Sequence, residues 1–157
     1  MDQRITVIGV YRADRGTIQL VGGGISDVAL YAALDGITTI VTFNGASFDL
    51  PTIKRCMYVD LKRDFAHEDL MIGCRRRGIR GGLKKIEIAM GIARDTVGLS
   101  GFDAVRLWQR YEMLRDQDAL ATLLHYNRED IQNLARIEHL LGIATHEALS
   151  ADVHIIR

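Results

Sequence analysis

The chain has 157 residues, 48% of them hydrophobic and 25% charged, a composition that excludes a disordered or fibrous protein. Its 20 basic residues balance 20 acidic ones, which excludes a wholly basic, histone-like binder. The charge is unevenly spread, however, with a net charge of −2 over 1–53, +6 over 54–94 and −4 over 95–157. We therefore predict one domain over 1–157 whose basic middle segment meets an anionic partner.

The two cysteines and the hydropathy pattern indicate where the chain works. Cys56 and Cys74 form no C-x-x-C pair, which favours a reducing, cytoplasmic setting over a disulfide framework or a zinc site. No apolar run approaches the roughly 18 residues that a membrane span needs, and no signal-peptide pattern is seen. We expect no membrane association.

Four apolar or β-branched segments and six helical patterns follow one another along the chain. The turn Ala13-Asp14-Arg15-Gly16 separates the first two strands and predicts a β-hairpin. Ser26 suits a helix cap, and a second helix is expected near Ser47, with Pro51 in its first turn. The predicted strands are 5–11, 17–21, 37–43 and 65–69, and the predicted helices are 27–34, 47–57, a segment ending at 75–77, 83–90, 102–113 and 117–141. This order indicates a mixed α/β fold with one sheet.

The first candidate site lies where the third strand meets the following helix. Asn44 and Asp49 stand there, and catalytic groups of α/β sheets collect at the carboxyl ends of strands. The alternative is structural: Asn44-Gly45 makes a turn, Ser47 caps the helix and Asp49 complements its dipole.

The second candidate site is the pair Tyr126 and Asp130. These residues are four apart in the longest predicted helix, so both can point at one ligand, such as a metal ion and its bound water. The alternative is a solvated helix face on which Arg128 and Glu129 interact.

The third candidate is a basic block interrupted by glycines. Backbone amides of glycines before a helix can approach an anion, and cations in the first turn would gain from one. A solubilising surface, or pairing with the acidic final third of the chain, is the alternative. We favour phosphate binding by Arg75, Arg76, Arg77, Arg80, Lys84 and Lys85.

Taken together, several segments resemble the DEDDy-type 3′–5′ exonucleases of the ribonuclease H-like superfamily, over about residues 4–141. The blocks that carry the resemblance are ITVIGVY (5–11), VTFNG (41–45), FDLP (48–51), HEDL (67–70), RGGLK (80–84), DAVRLW (103–108) and YNRED (126–130). Several such blocks in order are more specific than any one of them. The resemblance implies a ribonuclease H-like mixed sheet flanked by helices, with nucleic acid, either DNA or RNA, as the partner.

The resemblance also implies two-metal hydrolysis of a phosphodiester by Mg²⁺ or Mn²⁺. Asp49 matches the second acidic motif, and Asp130 matches the third, so both are implied metal ligands. Tyr126 would orient the attacking water. His125 forms an H-x4-D with Asp130, which leaves the histidine subtype open, although the one-turn offset favours Tyr126.

One departure from the family pattern is large. The first motif, an Asp-x-Glu on the central strand of the family's sheet, should lie just ahead of Ile5, where the chain reads Met1-Asp2-Gln3-Arg4. Two of four acids are therefore missing, and the sheet must close up, recruit a partner strand or keep an open edge. We expect an exonuclease-type domain impaired by this loss. The alternatives are a non-catalytic nucleic-acid-binding module and a subunit whose sheet is completed by a partner strand or in a homo-oligomer.

Overall fold

The structure is a computed structural model that describes residues 4–142 and the backbone of Val153 and His154. Strands β1 (Val7–Arg12) and β2 (Gly16–Val21) pair in antiparallel fashion, with Val7 opposite Val21 and Arg12 opposite Gly16. Gly16 closes the turn with a φ of 74°, which glycine adopts without strain. The predicted hairpin is confirmed.

Two parallel strands follow the hairpin, and short helices connect them. Strand β3 (Thr39–Thr42) pairs with β4 (Ala66–Asp69), with Thr42 opposite Asp69. Helix α1 (Asp27–Ala33) begins after Ser26, whose hydroxyl accepts a hydrogen bond from the Ala29 amide at 3.1 Å, as predicted. Helices α2 (Asp49–Met57) and α3 (Leu61–Asp64) lie between the two strands, and the second of them was not predicted.

The second half of the described chain is helical. Its helices are α4 (Leu70–Arg76), α5 (Leu83–Ala89), α6 (Gly101–Leu114) and α7 (Gln117–Leu140). Helix α7 packs on strand β1 at Gly9, where any β-carbon would overlap the side chains of Asn127 and Ile131. Glycine at this position therefore allows the helix to approach the strand closely.

The final described strand, β5 (Val153–His154), pairs in parallel with β3, placing Val153 opposite Ile40 and His154 opposite Val41. It also contacts β1, so it lies between the hairpin and β3. From the sequence, the central strand of the sheet was expected to be missing. In the structure, β5, a later part of the same chain, lies at that position. Among the described residues β5 bonds to β3 alone, which gives two hydrogen-bonded sheets rather than the expected one, in the orders β1–β2 and β4–β3–β5.

Three apolar clusters hold these elements together. The first joins the hairpin to α1 and α2, and the second joins β3 to α4, α5 and α7. The third contains Trp108, Val7 and Leu123. Helix α7 contributes buried side chains to both the second and the third cluster, so it is held from two sides. Burial of each large aliphatic side chain contributes about 2 kcal/mol. In the described part of the chain, no helix has both the length and the apolar character needed to cross a bilayer.

Candidate functional site

Asp69 organises the loop that follows β3. This buried carboxylate ends β4, and it accepts hydrogen bonds from the Asn44 amide at 2.7 Å and the Ala46 amide at 3.2 Å. It also caps α4 through the Met71 amide at 3.1 Å. Asn44 itself adopts a φ of 59°. The sequence analysis included Asp69 in the block HEDL (67–70) but did not predict that it caps a helix or holds a loop. Its position directly before α4 was the available signal, because Asp is a preferred helix cap.

Thr42 and His67 connect the same two strands by their side chains. The Thr42 hydroxyl lies 2.9 Å from Nε2 of His67 and accepts the Gly45 amide at 3.2 Å. Burial lowers the pKa of His67, which favours the neutral imidazole as acceptor of the hydroxyl proton. The carboxyl ends of β3 and β4 therefore form a rigid edge.

Asp49 is the first residue of α2 and is 8% exposed. The helix expected from near Ser47 to Met57 is confirmed with its start at Asp49, but the alternative that Ser47 caps it is wrong. Residues 45–48 form turns, with the Ser47 amide donating to the Asn44 carbonyl, and Phe48 stands at the cap position without a side-chain hydrogen bond. The carboxylate of Asp49 lies in the first turn, where the helix dipole favours negative charge.

Tyr126 and Asp130 lie one turn apart on α7; Tyr126 is partly buried and Asp130 is buried. Asp130 is 5% exposed, so the alternative of a solvated helix face does not hold at this position. Burial raises the pKa of Asp130 to about 6, against the opposing charge of Arg94. Burial and the nearby Asp130 raise the pKa of Tyr126 to about 12. An acid and a phenol with perturbed pKa values side by side are typical of a functional site.

Arg94 is the cation around which this site is built. Its guanidinium pairs with Glu87 at 2.7 Å and with Asp130, and its Nε lies 3.6 Å from Glu129. The Arg94 side chain is 8% exposed; burial opposes its charge, but hydrogen bonds to Glu87 and Asp130 prevail and raise its pKa. The segment after α5 is thereby tied to α7.

Glu87 is a site residue that sequence reasoning missed. It is fully buried and also accepts a hydrogen bond from the Asn133 side chain at 2.9 Å. The available signal was its position between Ile86 and Ile88, because a carboxylate within an apolar helical segment needs a buried partner.

Lys84 reaches the same site from α5. Its Nζ lies 4.8 Å from the centroid of the Tyr126 ring, and Cζ of Arg94 lies 5.4 Å from the same centroid. Two cations therefore flank one aromatic ring that is next to a buried acid. This arrangement gathers Lys84, Tyr126 and Asp130, three of the residues predicted from sequence.

Within the basic block, Arg77 lies far from the residues that Lys84 contacts. Arg77 donates to the carbonyls of Leu140 and Leu141, so its guanidinium caps the end of α7. Tyr126 and Leu140 are 14 residues apart on α7, which separates the contacts of Lys84 and Arg77 by about 21 Å along the helix. The other basic residues are exposed, namely Arg75, Arg76, Arg80 and Lys85.

The implied two-metal centre does not fit the described residues. Carboxylate oxygens suit Mg²⁺, but the oxygen of Asp130 is already paired with Arg94. Within the described ranges, the group of three potential ligands that lie close together is Asp95, His125 and Glu129, which includes neither Asp49 nor Asp130. Glu129 is itself engaged by the Asp95 and Thr96 amides.

Comparison with known proteins gives the family. The family model of the RNase H superfamily matches residues 1–142. The chain belongs to the RNase H superfamily. Domains of this superfamily act on nucleic acids and generally use divalent metals. The mixed α/β fold described above agrees with this membership.

One curated relative and the solved structures complete the comparison. The chain is 31% identical over 124 residues, 69% of its length, to the uncharacterized protein YprB of Bacillus subtilis (strain 168). It spans 29% of the length of that relative. No solved structure matches it.

Proposed function

We propose that this RNase H superfamily chain is a domain of the 3′–5′ exonuclease type that binds the 3′ end of a nucleic-acid strand. The carrying observation is the Tyr126–Asp130 pair on α7, buried beside two cations and with both pKa values raised. A buried acid with a displaced pKa next to a phenol suits a group that orients a water molecule at a phosphodiester.

The proposal assigns each residue a task that its surroundings support. Tyr126 orients the attacking water, and Asp130 holds the adjacent charge, while Asp49 adds a second buried carboxylate at the start of α2. Asn44 and the exposed arginines of the basic block contact the strand. Mg²⁺ or Mn²⁺ would supply activation of water when bound, but the described carboxylates do not form that centre by themselves. Hydrolysis therefore needs the further acids that the resemblance puts on a strand ahead of Ile5.

The experimental test adds to the chain the two acids of the family's first motif. A strand ending in Asp-x-Glu is fused ahead of Ile5 in a chain that ends at Gly142, because β5 otherwise occupies the central position, and a 3′-labelled single strand is followed in Mn²⁺. We expect trimming from the 3′ end, with Asp130→Asn lowering the rate at least a hundredfold. The matched control fusion carries Asn-x-Gln and should be inactive. Trimming that survives Asp130→Asn, or cleavage inside the strand, would contradict the proposal.

A second candidate is a nucleic-acid-binding module without hydrolysis. The ion pair between Arg94 and Asp130 favours it, because a guanidinium already neutralises the carboxylate that a metal would use. In the same assay this module would retain strand binding but trim nothing in either fusion. Completion of the sheet by a partner strand or in a homo-oligomer is a further alternative. We also propose a cytoplasmic setting, because neither Cys56 nor Cys74 forms a disulfide bond among the described residues.

A further inference from the structure

We propose that Lys84 of the basic block binds a non-bridging phosphate oxygen of the strand at the Tyr126 side of the site. This inference rests on the proposed function, because it names the group that receives the nucleic acid there. Lys84 lies on α5, and its ammonium reaches the ring of Tyr126 on α7.

The first support is the condition of the Lys84 ammonium. Its Nζ is shielded from solvent, and no hydrogen-bond acceptor lies within reach among the described residues. An ammonium has three donors, and a buried cation without acceptors is unfavourable. The Tyr126 ring at 4.8 Å compensates for only part of this cost, because one cation–π contact does not replace the hydrogen bonds that three donors can make.

The second support is that the nearby carboxylates already have partners. Glu87 is held by Arg94 and Asn133, and Asp130 is paired with Arg94. Lys84 therefore retains its donor capacity for an incoming group. A phosphate oxygen provides negative charge and several lone pairs, and hydrogen bonds between ionised groups are the stronger ones.

The third support is a route to the ammonium. Lys84 and Tyr126 are both only partly buried, so a strand laid on α5 and α7 meets their side chains at the surface. A lysine side chain is long and flexible, so a small rotation exposes the Nζ to an oxygen at that surface. Arg77 has no such freedom, because its guanidinium is bound to the end of α7.

The experiment compares neighbouring lysines. Binding of a labelled single-stranded oligonucleotide is measured by fluorescence anisotropy in EDTA between 50 and 300 mM salt, which separates binding from hydrolysis. Lys84→Met should weaken binding about tenfold and reduce the salt slope by about one, as loss of one phosphate contact predicts. Lys85→Met, at the neighbouring exposed lysine of the same block, should weaken binding less than Lys84→Met does, and Lys84→Arg should restore part of the loss.

A second measurement separates ligand binding from a structural role. Without nucleic acid, Lys84→Met should unfold at the same temperature as the parent chain or a higher one, because the change removes a buried charge without acceptors and keeps an apolar side chain. Weaker binding with a lower unfolding temperature and an unchanged salt slope would overturn the proposal.

Other outcomes of these measurements distinguish failure of the proposed function from failure of the Lys84 assignment. If the parent chain binds no strand at low salt, the proposed function fails. If it binds and Lys84→Met behaves like Lys85→Met, the function stands and the Lys84 assignment is wrong. Inorganic phosphate is added at matched ionic strength as a third arm. Competition by phosphate that is stronger than that of chloride in the parent chain and is lost in Lys84→Met would support the assignment, whereas equal competition in both chains would contradict it.

Discussion

Arg94 donates from one guanidinium nitrogen to both carboxylate oxygens of Glu87, at 2.7 and 2.8 Å. The same guanidinium pairs with Asp130 on α7, so one cation neutralises acids from two helices. This pairing explains how acidic side chains remain buried together in the described part of the chain. It also distinguishes Arg94 from the other basic residues of the middle segment, many of which are exposed.

Arg94→Met should destabilise the fold strongly. The change leaves Glu87 fully buried without its cation, a situation that costs about 3–5 kcal/mol. Chemical denaturation measures the loss, and Glu87→Gln added to Arg94→Met should recover part of it. If the double variant is no more stable than Arg94→Met, the charge of Glu87 is not the source of the loss.

Asp69→Ala should lower the free energy of unfolding by about 3 kcal/mol, because the amides of Asn44, Ala46 and Met71 lose a charged acceptor. Asp69→Asn keeps one acceptor oxygen and should lose less. Asp95→Ala is the control, since that side chain is 89% exposed, and its effect should stay within about 0.5 kcal/mol. Urea denaturation measures the free energy of unfolding of each variant and of the parent chain. Equal effects of Asp69→Ala and Asp95→Ala would contradict the role given to Asp69.

Asp130 should make the folded state less stable as the pH rises from about 4 to 6. Its pKa is raised from 3.8 to about 6 in the folded state, so ionisation favours the unfolded chain across that window. The stability of Asp130→Asn relative to the parent chain should therefore increase with pH, by roughly 3 kcal/mol at most, since one pKa unit corresponds to about 1.4 kcal/mol.

Urea denaturation of both proteins at several pH values checks this prediction. Effects of the other titrating groups cancel in the difference between the two chains, provided that they are unaffected by the substitution. The difference in the free energy of unfolding between Asp130→Asn and the parent chain could instead stay constant or decrease between pH 4 and 7. That result would show that Arg94 prevents the rise in the pKa of Asp130.

Strand β5 should protect one side of β3 from hydrogen exchange. Val153→Pro removes the backbone donor opposite Ile40 and is incompatible with a paired strand position. We expect faster exchange at alternate residues of β3, the ones whose amides face β5. The amides that face β4 and those of the hairpin serve as internal controls. Unchanged exchange along β3 would mean that β5 does not stabilise this edge.

Local patterns in the sequence were enough to predict most of the elements. Apolar periodicity located the long helix α7, the cap at Ser26 located α1, and the turn before Gly16 located the hairpin. Helix α3 was missed because four residues are too few to show a helical period. The pair Tyr126 and Asp130 could be recognised because four-residue spacing places two side chains on one face.

The contents of the site were decided by the tertiary structure. Arg94 and Asp130 are separated by 36 positions, and Asn44 and Asp69 by 25. No short-range pattern encodes such pairs, because they form only after α5 packs on α7 and β3 aligns with β4. The same holds for β5, whose place beside β3 depends on a parallel pairing between distant parts of the chain. The sequence by itself determined the elements and the residues that could react, whereas long-range packing decided which charge faces which.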